Sequence, residues 1–263
     1  MENFKILFLG LIQGLTEFLP VSSSAHLVFV QDLLNISEKG IILEVFVHFG
    51  TLLSIIIVFF PDLKNIFLSC IKKEKYGLSM LFFILIGSIP AGLIGILFSD
   101  FLEKIFNSTL CTSLLLIITG FILFLTKFLK NNANNANITW KNALIIGVSQ
   151  AIAILPGISR SGITISTGLF CKLKKELAYK FSFLLSIPAI LGATFLKLPD
   201  IFTDKISDFK ILPILGATFI SFIVGYFSLR YLLHLVKNSK LYYFSYYCWI
   251  ISIFMLLKEF IKF

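Results

Sequence analysis

The sequence predicts an all-α polytopic membrane protein: about six full transmembrane helices, two re-entrant helix–loop–helix hairpins and an inverted-topology repeat. Three observations support this fold class, namely the composition, the length of the apolar segments, and two polar interruptions inside apolar sequence. Of the 263 residues, 57% are hydrophobic and only 14% are charged, whereas a soluble domain carries roughly 25% charged residues. We therefore treat residues 1–263 as a single membrane domain.

The full spans are predicted from length, because a helix needs about 20 apolar residues to cross the hydrocarbon core. Tyrosines and a tryptophan cluster near the start of the last span, at Tyr242, Tyr243, Tyr246, Tyr247 and Trp249. Such residues are typical of an aromatic belt at the membrane interface. The six segments predicted as full spans are 41–60, 78–98, 110–129, 177–197, 211–235 and 241–260.

Two further apolar segments are interrupted by polar and helix-breaking residues. Residues 4–34 are broken by Pro20 and a serine run, and residues 141–170 are broken by the stretch 155–162. Each break leaves two arms of roughly 8 to 15 residues, too short for two crossings. Non-helical backbone at membrane depth is tolerated where it is buried in protein or lines a wet cavity. We therefore interpret both segments as re-entrant hairpins.

The lysines between the apolar segments predict the orientation of the chain. Connections 61–76, 127–141 and 171–176 are rich in lysine, and such connections face the cytoplasm. The second hairpin then enters from the cytoplasm, the first enters from the outer face, and both termini lie outside. The tips of the two hairpins are expected to meet near the midplane.

The two hairpins also belong to an internal repeat. Residues 19–24 (Leu-Pro-Val-Ser-Ser-Ser) align with residues 155–160 (Leu-Pro-Gly-Ile-Ser-Arg). The repeat halves are approximately 1–130 and 138–263, and the asparagine-rich connector 131–137 joins them. Opposite hairpin orientations make the repeat inverted, which places the functional site at the interface between the halves.

The first hairpin supplies groups that can perform acid–base or metal chemistry. Glu17 can hold a divalent cation or act as a base, and Gln13 lies one turn earlier on the same helical face. Ser22, Ser23 and His26 follow directly. Histidine has an unperturbed pKa near roughly 6.5, so His26 can serve as acid, base or nucleophile. A serine becomes nucleophilic when such a group lies beside it.

The second hairpin supplies groups suited to an anion. Gly157 and Gly162 allow close approach of the backbone, and the N-terminus of the following helix favours negative charge. Arg160 adds a permanently charged fork that matches phosphate, between Ser159 and Ser161. Together the hairpins contain the parts that phosphoryl transfer requires.

Several alternatives remain open on the residues alone. Glu17 and Arg160 can form a structural ion pair, and the serines can serve packing. Glu44, His48 and Thr51 share one helical face and either line the site behind Glu17 or make ordinary interhelical hydrogen bonds. Inverted repeats with broken helices are also typical of transporters, so an inverted-repeat transporter or flippase of polyprenyl phosphates is the rival class.

The overall charge and the cysteines limit which partners and metal sites the sequence supports. The formal charge of +9 comes from lysines between spans, which indicates topology and contact with anionic membrane lipids. The sequence contains nothing that supports binding of nucleic acid. The four cysteines lack a CxxC pair, so no cysteine metal site or disulfide framework is predicted.

At these motifs the sequence is similar to a known family. Residues 13–26 (Gln-Gly-Leu-Thr-Glu-Phe-Leu-Pro-Val-Ser-Ser-Ser-Ala-His) and 156–162 (Pro-Gly-Ile-Ser-Arg-Ser-Gly) resemble the two motifs of the bacterial undecaprenyl-diphosphate phosphatases, the bacitracin-resistance family. Residues 48–51 and 181–193 resemble it too. The resemblance implies an enzyme that hydrolyses undecaprenyl diphosphate to undecaprenyl phosphate and inorganic phosphate. It also implies interlocked inverted repeats, a homodimer in the bacterial cytoplasmic (inner) membrane, an active site open to the outer face, and a divalent cation, Mg or Ca.

The resemblance assigns roles by position. Glu17 matches the essential glutamate, Ser23 and His26 match the candidate nucleophile and acid–base group, and Arg160 matches the phosphate-binding arginine. Gln13 occupies a position where the family has Glu or Gln, so the expected metal ligands are Glu17 and Gln13. One carboxylate together with diphosphate oxygens and water can hold Mg²⁺. Whether Ser23, His26 or an activated water attacks stays open. The expected substrate-binding residues are Thr16, Ser22, Gly157, Ser159, Arg160, Ser161 and Gly162, with Glu44, His48 and Thr51 behind them.

Overall fold

A computed structural model describes residues 2–34, 36, 41–98, 105, 108–129, 135–203, 211–238 and 241–261. These residues are almost entirely helical, with one isolated bridge between Asn135 and Leu173. The helices are α1 (Glu2–Thr16), α2 (Ser23–Leu33), α3 (Ile41–Val58), α4 (Phe60–Ile71), α5 (Lys75–Leu97), α6 (Thr109–Leu125, continued by a 3-10 turn Thr126–Phe128), α7 (Trp140–Ile152), α8 (Arg160–Phe170), α9 (Lys175–Thr203), α10 (Ile211–Asn238) and α11 (Tyr243–Ile261).

The all-α membrane architecture is confirmed. Five helices, α5, α6, α9, α10 and α11, are long and apolar enough to cross a membrane, and α3 with α4 forms a sixth candidate that is bent by 69°. The chain is therefore a multi-pass membrane protein. Its predicted division into halves at 1–130 and 138–263 stays a prediction, and the connector 131–137 lies largely outside the described residues.

One connection differs from the sequence-based expectation. Residues 61–76 were expected to form a connection, and helix α4 occupies most of it. Pro61 stands in the first turn of α4, where its missing N–H costs nothing and its fixed φ suits a helix start. Ile66 is buried, and a β-carbon on Gly77 of α5 would lie 2.6 Å from the Ser69 Cβ atom. Close packing on α5 therefore stabilises a helix that bends away from α3.

Both predicted hairpins are confirmed as helix–turn–helix units with short arms. Helices α1 and α2 flank the first turn, and α7 and α8 flank the second. Each second arm begins with a serine cap: the Ser22 hydroxyl accepts from the Ala25 amide at 3.4 Å, and the Ser159 hydroxyl accepts from the Gly162 amide at 3.1 Å. A serine at this position satisfies one of the amides that a helix start leaves free.

Each hairpin packs on a long helix from the other half of the chain. Helix α1 packs against α10, and helix α7 packs against α5. Both contacts are so close that only glycine fits. A β-carbon on Gly10 would lie 2.4 Å from the Ala217 carbonyl oxygen, and one on Gly147 would lie 2.2 Å from the Gly87 carbonyl oxygen. Interlocked repeats would pack reciprocally in this way, and the repeat itself stays a prediction.

Helices α6 and α11 pack against each other and support the hairpin turns. Gly120 on α6 leaves room for the indole of Trp249, whose ring nitrogen would lie 2.3 Å from a β-carbon there. The same nitrogen donates to the Ile117 carbonyl oxygen at 3.2 Å. Trp249 therefore joins two helices, and its place at the membrane interface stays a prediction.

Candidate active site

The turns of the two hairpins lie in direct contact. The Ser161 hydroxyl donates to the Leu19 carbonyl oxygen at 3.1 Å, and the Gly157 amide donates to the Ser24 hydroxyl at 3.4 Å. A β-carbon on Gly162 would lie 3.4 Å from the Pro20 side chain. The predicted meeting of the hairpin tips is confirmed, and Gly162 lies beside the Pro20 side chain of the first hairpin.

Glu17 is the centre of the site. It follows the last residue of α1, and only 7% of it is exposed. One carboxylate oxygen, Oε1, pairs with the Arg160 guanidinium. The other, Oε2, accepts from the Ser23 hydroxyl at 2.5 Å and from the Gln13 amide at 2.9 Å. A buried carboxylate of this kind needs such partners, because an isolated charge in an apolar interior is very costly.

Arg160 is held by the first turn of α8 and reaches across to the first hairpin. Its Nη2 atom pairs with Glu17, while its buried Nη1 atom has no hydrogen-bond partner among the described residues. The guanidinium fork is therefore half occupied. The free half, together with those first amides of α8 that the Ser159 cap does not engage, can receive a phosphate.

Ser23 is placed by a tight turn. Ser22, directly before it, has a φ of 66°. Residues other than glycine adopt this left-handed region infrequently. The Ser22 and Ser24 hydroxyls lie 3.1 Å apart and bond to each other. Among these three serines, Ser23 is the one whose hydroxyl reaches the Glu17 carboxylate.

His26 lies in the same helix but in a different environment. Its Nδ1 atom bonds to the Ser22 carbonyl oxygen at 2.8 Å, and its Nε2 atom bonds to the Tyr247 hydroxyl at 2.8 Å. The rings of His26 and Tyr247 also lie parallel, with centroids 5.6 Å apart. The place of Tyr247 at the membrane interface stays a prediction, and its hydroxyl bonds to His26 within the protein. Both ring nitrogens of His26 thus anchor the turn that carries Ser23.

The three residues expected behind Glu17 lie on α3. The His48 Nε2 atom is 3.6 Å from Glu17 Oε2, and its Nδ1 atom bonds to the Glu44 carbonyl oxygen at 2.7 Å. The Thr51 hydroxyl donates to the His48 carbonyl oxygen at 2.8 Å. The His48 side chain thus lies beside Glu17, and the Glu44 carbonyl oxygen and the Thr51 hydroxyl bond to His48.

The remaining predicted binding residues divide into two groups. Ser159 and Ser161 lie in the second turn, with their hydroxyls 3.3 Å apart, and Gly157 adopts a φ of 102° there. Thr16 differs, because its hydroxyl donates to the Ile12 carbonyl oxygen of its own helix at 2.7 Å. Its expected role in substrate binding stays a prediction that no contact to the second hairpin supports.

Sequence reasoning missed Thr119, which contacts the second turn from α6. Its hydroxyl donates to the Gly157 carbonyl oxygen at 2.8 Å and accepts from the Ser159 amide at 3.0 Å. Thr119 stands inside an apolar span, where a threonine commonly bonds to its own helix. No sequence pattern marks it as a neighbour of a turn that follows 38 residues later.

One side-chain oxygen beside Glu17 could serve as a ligand for a loosely held divalent cation. The buried Gln13 Oε1 atom has no hydrogen-bond partner among the described residues, and the amide nitrogen of the same side chain touches Glu17. In the part of the chain that the structure describes, three or more His, Cys, Asp or Glu residues do not group into a metal site. Mg²⁺ tolerates such a sparse set, because it keeps several waters and takes substrate oxygens.

Comparison with known proteins identifies the family. The family model for bacitracin resistance protein BacA matches residues 6–254. A protein named undecaprenyl-diphosphatase from Halothermothrix orenii is 45% identical over 258 residues, with 98% of both chains covered. Proteins of the same name from Carboxydothermus hydrogenoformans and Alkaliphilus metalliredigens are 42% and 40% identical, also with 98% of both chains covered. The paired motifs at the two hairpin turns thus lie within a match that extends along nearly the whole chain, and the chain belongs to the bacitracin resistance protein BacA family.

Proposed function

We propose that this protein is a membrane phosphatase that hydrolyses undecaprenyl diphosphate to undecaprenyl phosphate and inorganic phosphate. The product is the lipid carrier for cell-wall precursors, and its regeneration counters bacitracin. The relatives named undecaprenyl-diphosphatase support the substrate. The contact of Glu17 with both Arg160 and Ser23 across the two hairpin turns supports the chemistry. We place the protein in the bacterial cytoplasmic membrane, surrounded by lipid, as a homodimer with its site open to the outer face.

The first chemical step uses the first hairpin. The Ser23 oxygen attacks the terminal phosphorus, and Glu17 Oε2, already bonded to that hydroxyl at 2.5 Å, takes its proton. The bond between the terminal phosphorus and the bridging oxygen breaks, and undecaprenyl phosphate leaves. Arg160 stabilises the charge that develops on the phosphoryl oxygens, because its free Nη1 atom can donate to them.

The second step restores the serine. Water attacks the phosphorus of phosphoserine, the bond from phosphorus to the Ser23 oxygen breaks, and inorganic phosphate leaves with both protons of the water on its oxygens. Ser23 recovers the proton that Glu17 held. The sum of the two steps consumes one water and cleaves one phosphoanhydride. His26 holds the turn during both steps through Ser22 and Tyr247.

Glu17 and Gln13 would hold the divalent cation, Mg or Ca. When bound, the cation supplies positive charge to the diphosphate oxygens. The roles of the chain's own residues are separate from this: Arg160 orients the phosphates, and the buried position of Glu17 excludes bulk water from the carboxylate.

The function is tested by phosphate release from undecaprenyl diphosphate in detergent. Wild-type protein should release phosphate, and Ser23→Ala and Arg160→Ala should reduce the rate at least about 10³-fold, because they remove the nucleophile and an electrostatic clamp. Two substitutions serve as matched controls. Ser186→Ala removes a buried hydroxyl that bonds within its own helix, and Arg230→Ala removes the second arginine, which is exposed over Tyr226.

The outcomes separate the proposal from its rival. Lipid transport by the wild type without any release of phosphate would establish the transporter instead. Release that survives in Ser23→Ala would remove the serine from the reaction and leave water or His26 as the attacking group.

A further inference from the structure

The Thr119 hydroxyl spans the turn of the second hairpin. It donates to the Gly157 carbonyl oxygen at 2.8 Å and accepts the Ser159 amide at 3.0 Å. One oxygen atom therefore holds two backbone groups that lie two residues apart. Only 2% of Thr119 is exposed, and hydrogen bonds in such a buried environment are stronger than in water.

The backbone that Thr119 holds leads directly to Arg160. Ser159 caps α8 through its own hydroxyl, and Arg160 is the first residue of that helix. The orientation of the Ser159 peptide therefore determines where α8 begins and in which direction the Arg160 side chain leaves the helix. A shift of the cap moves the guanidinium relative to Glu17.

Helix α6 is a firm base for this contact. Gly157, at a φ of 102°, packs so closely on α6 that a β-carbon would lie 2.4 Å from the Thr112 carbonyl oxygen. Gly120, next to Thr119, is covered by Trp249 of α11. The turn thus packs on a helix that α11 also contacts.

We propose that Thr119 is a positioning residue of the active site: its hydroxyl fixes the Gly157–Ser159 turn, so that Arg160 meets the diphosphate in the reactive orientation. The inference rests on the proposed phosphatase function and extends it to a residue outside both motifs. Thr119 acts through the backbone of the turn and does not touch the substrate.

The test compares isosteric and conservative variants in purified full-length protein. Thr119→Val keeps the shape and removes both hydrogen bonds, while Thr119→Ser keeps the hydroxyl. Thr112→Val is the matched control, because the Thr112 hydroxyl is buried on the same helix without a hydrogen-bond partner among the described residues. The readouts are kcat and KM for phosphate release, the inhibition constant of methylenediphosphonate, and the thermal midpoint.

Misplacement of a positioned group by about 1 Å can cost 10²-fold in rate. Thr119→Val should therefore lower kcat by about 10- to 100-fold and weaken inhibition by methylenediphosphonate. Thr119→Ser should remain within about threefold of wild type, and Thr112→Val should match wild type. If Thr119→Val does not purify as a folded protein, Thr119→Ala takes its place, because it removes the same hydroxyl with a smaller side chain. Its kcat and inhibition constant are then compared with those of Thr119→Ser.

Wild-type kcat and inhibition in Thr119→Val or Thr119→Ala would overturn the inference while the proposed function stood. A loss in Thr119→Ser as large as in Thr119→Val would also overturn it, because the hydroxyl would then not be the cause. Absence of phosphate release from the wild type is a different result, and it would refute the proposed function itself.

Discussion

Ser22 holds the first turn in a conformation that costs free energy for most side chains. Its φ is 66°, in the left-handed region, where glycine pays no penalty from a β-carbon. We expect Ser22→Gly to change the unfolding free energy by no more than about 1 kcal/mol, because lost strain offsets the weak 3.4 Å cap. Ser22→Val should destabilise by about 1–3 kcal/mol. Thermal unfolding in detergent measures both, and equal midpoints for the two variants would contradict this explanation.

The contact of Tyr247 with His26 offers a test of whether the histidine holds the first turn in place or takes part in the reaction. Tyr247→Phe removes the hydroxyl that bonds to Nε2 at 2.8 Å, and a net hydrogen bond contributes about 0.5–1.5 kcal/mol. We expect a lower thermal midpoint and a several-fold lower kcat. Tyr246→Phe is the control, since the neighbouring ring contacts Phe124 and Trp249.

The same assignment predicts that His26→Gln keeps measurable turnover, because a glutamine can still donate near the Ser22 carbonyl. A loss of activity in His26→Gln as large as that in Ser23→Ala would show that His26 takes part in the reaction itself. Phosphate release at several substrate concentrations gives the comparison.

Some site residues could be predicted from sequence and others could not, for a physical reason. Glu17, Ser23 and Arg160 are polar groups inside apolar segments, and their burial is costly unless they have a function or a partner. Thr119 and Tyr247 lack this contrast, because threonine and tyrosine are ordinary residues in or near membrane helices. Their importance arises from contacts between helices that are distant in sequence.

At the scale of elements, glycines determine how closely the hairpin arms approach the long helices. Gly147 on α7 meets the Gly87 backbone so closely that a β-carbon would lie 2.2 Å from its oxygen. We expect Gly147→Ala to lower the unfolding free energy by about 1–3 kcal/mol through overpacking. Gly92→Ala on α5 is the control, because a β-carbon there meets nothing within 4 Å, and alanine should be neutral or slightly stabilising. Equal thermal midpoints for Gly147→Ala and Gly92→Ala would contradict the expected overpacking at Gly147.

The hairpins were predictable as elements and α4 was not. A proline and a serine run interrupt the first apolar segment, and the arms that remain are too short to cross. In residues 61–76 the lysines dominate the sequence pattern and conceal an amphipathic helix. Of its apolar side chains, Ile66 is buried, while Phe67 and Ile71 are exposed. Lysine-rich sequence predicts the side of the membrane, and it does not exclude a helix there.

At the scale of the whole molecule, the lysine-rich segments come together. The Lys180 ammonium pairs with Asp62 at 2.5 Å, which brings the start of α4 to the start of α9. The Asn135 amide donates to the Lys172 carbonyl oxygen at 3.1 Å, which brings the end of the 127–141 connection to the same region. Three segments that the sequence assigns to the cytoplasm are therefore neighbours on one face of the molecule, and which side of the membrane that face meets stays a prediction.

The orientation leads to a final prediction about the two faces. The lysine distribution places Lys72 in the cytoplasm and Asn3 outside, and both residues are exposed. In a variant whose four cysteines are replaced, we expect a membrane-impermeant maleimide to label Asn3→Cys in intact cells. Lys72→Cys should be labelled only after the membrane is opened, and both should be labelled in detergent. Labelling of Lys72→Cys in intact cells would reverse the topology and would place the entry of the first hairpin, with Glu17 and Ser23 at its turn, on the cytoplasmic side.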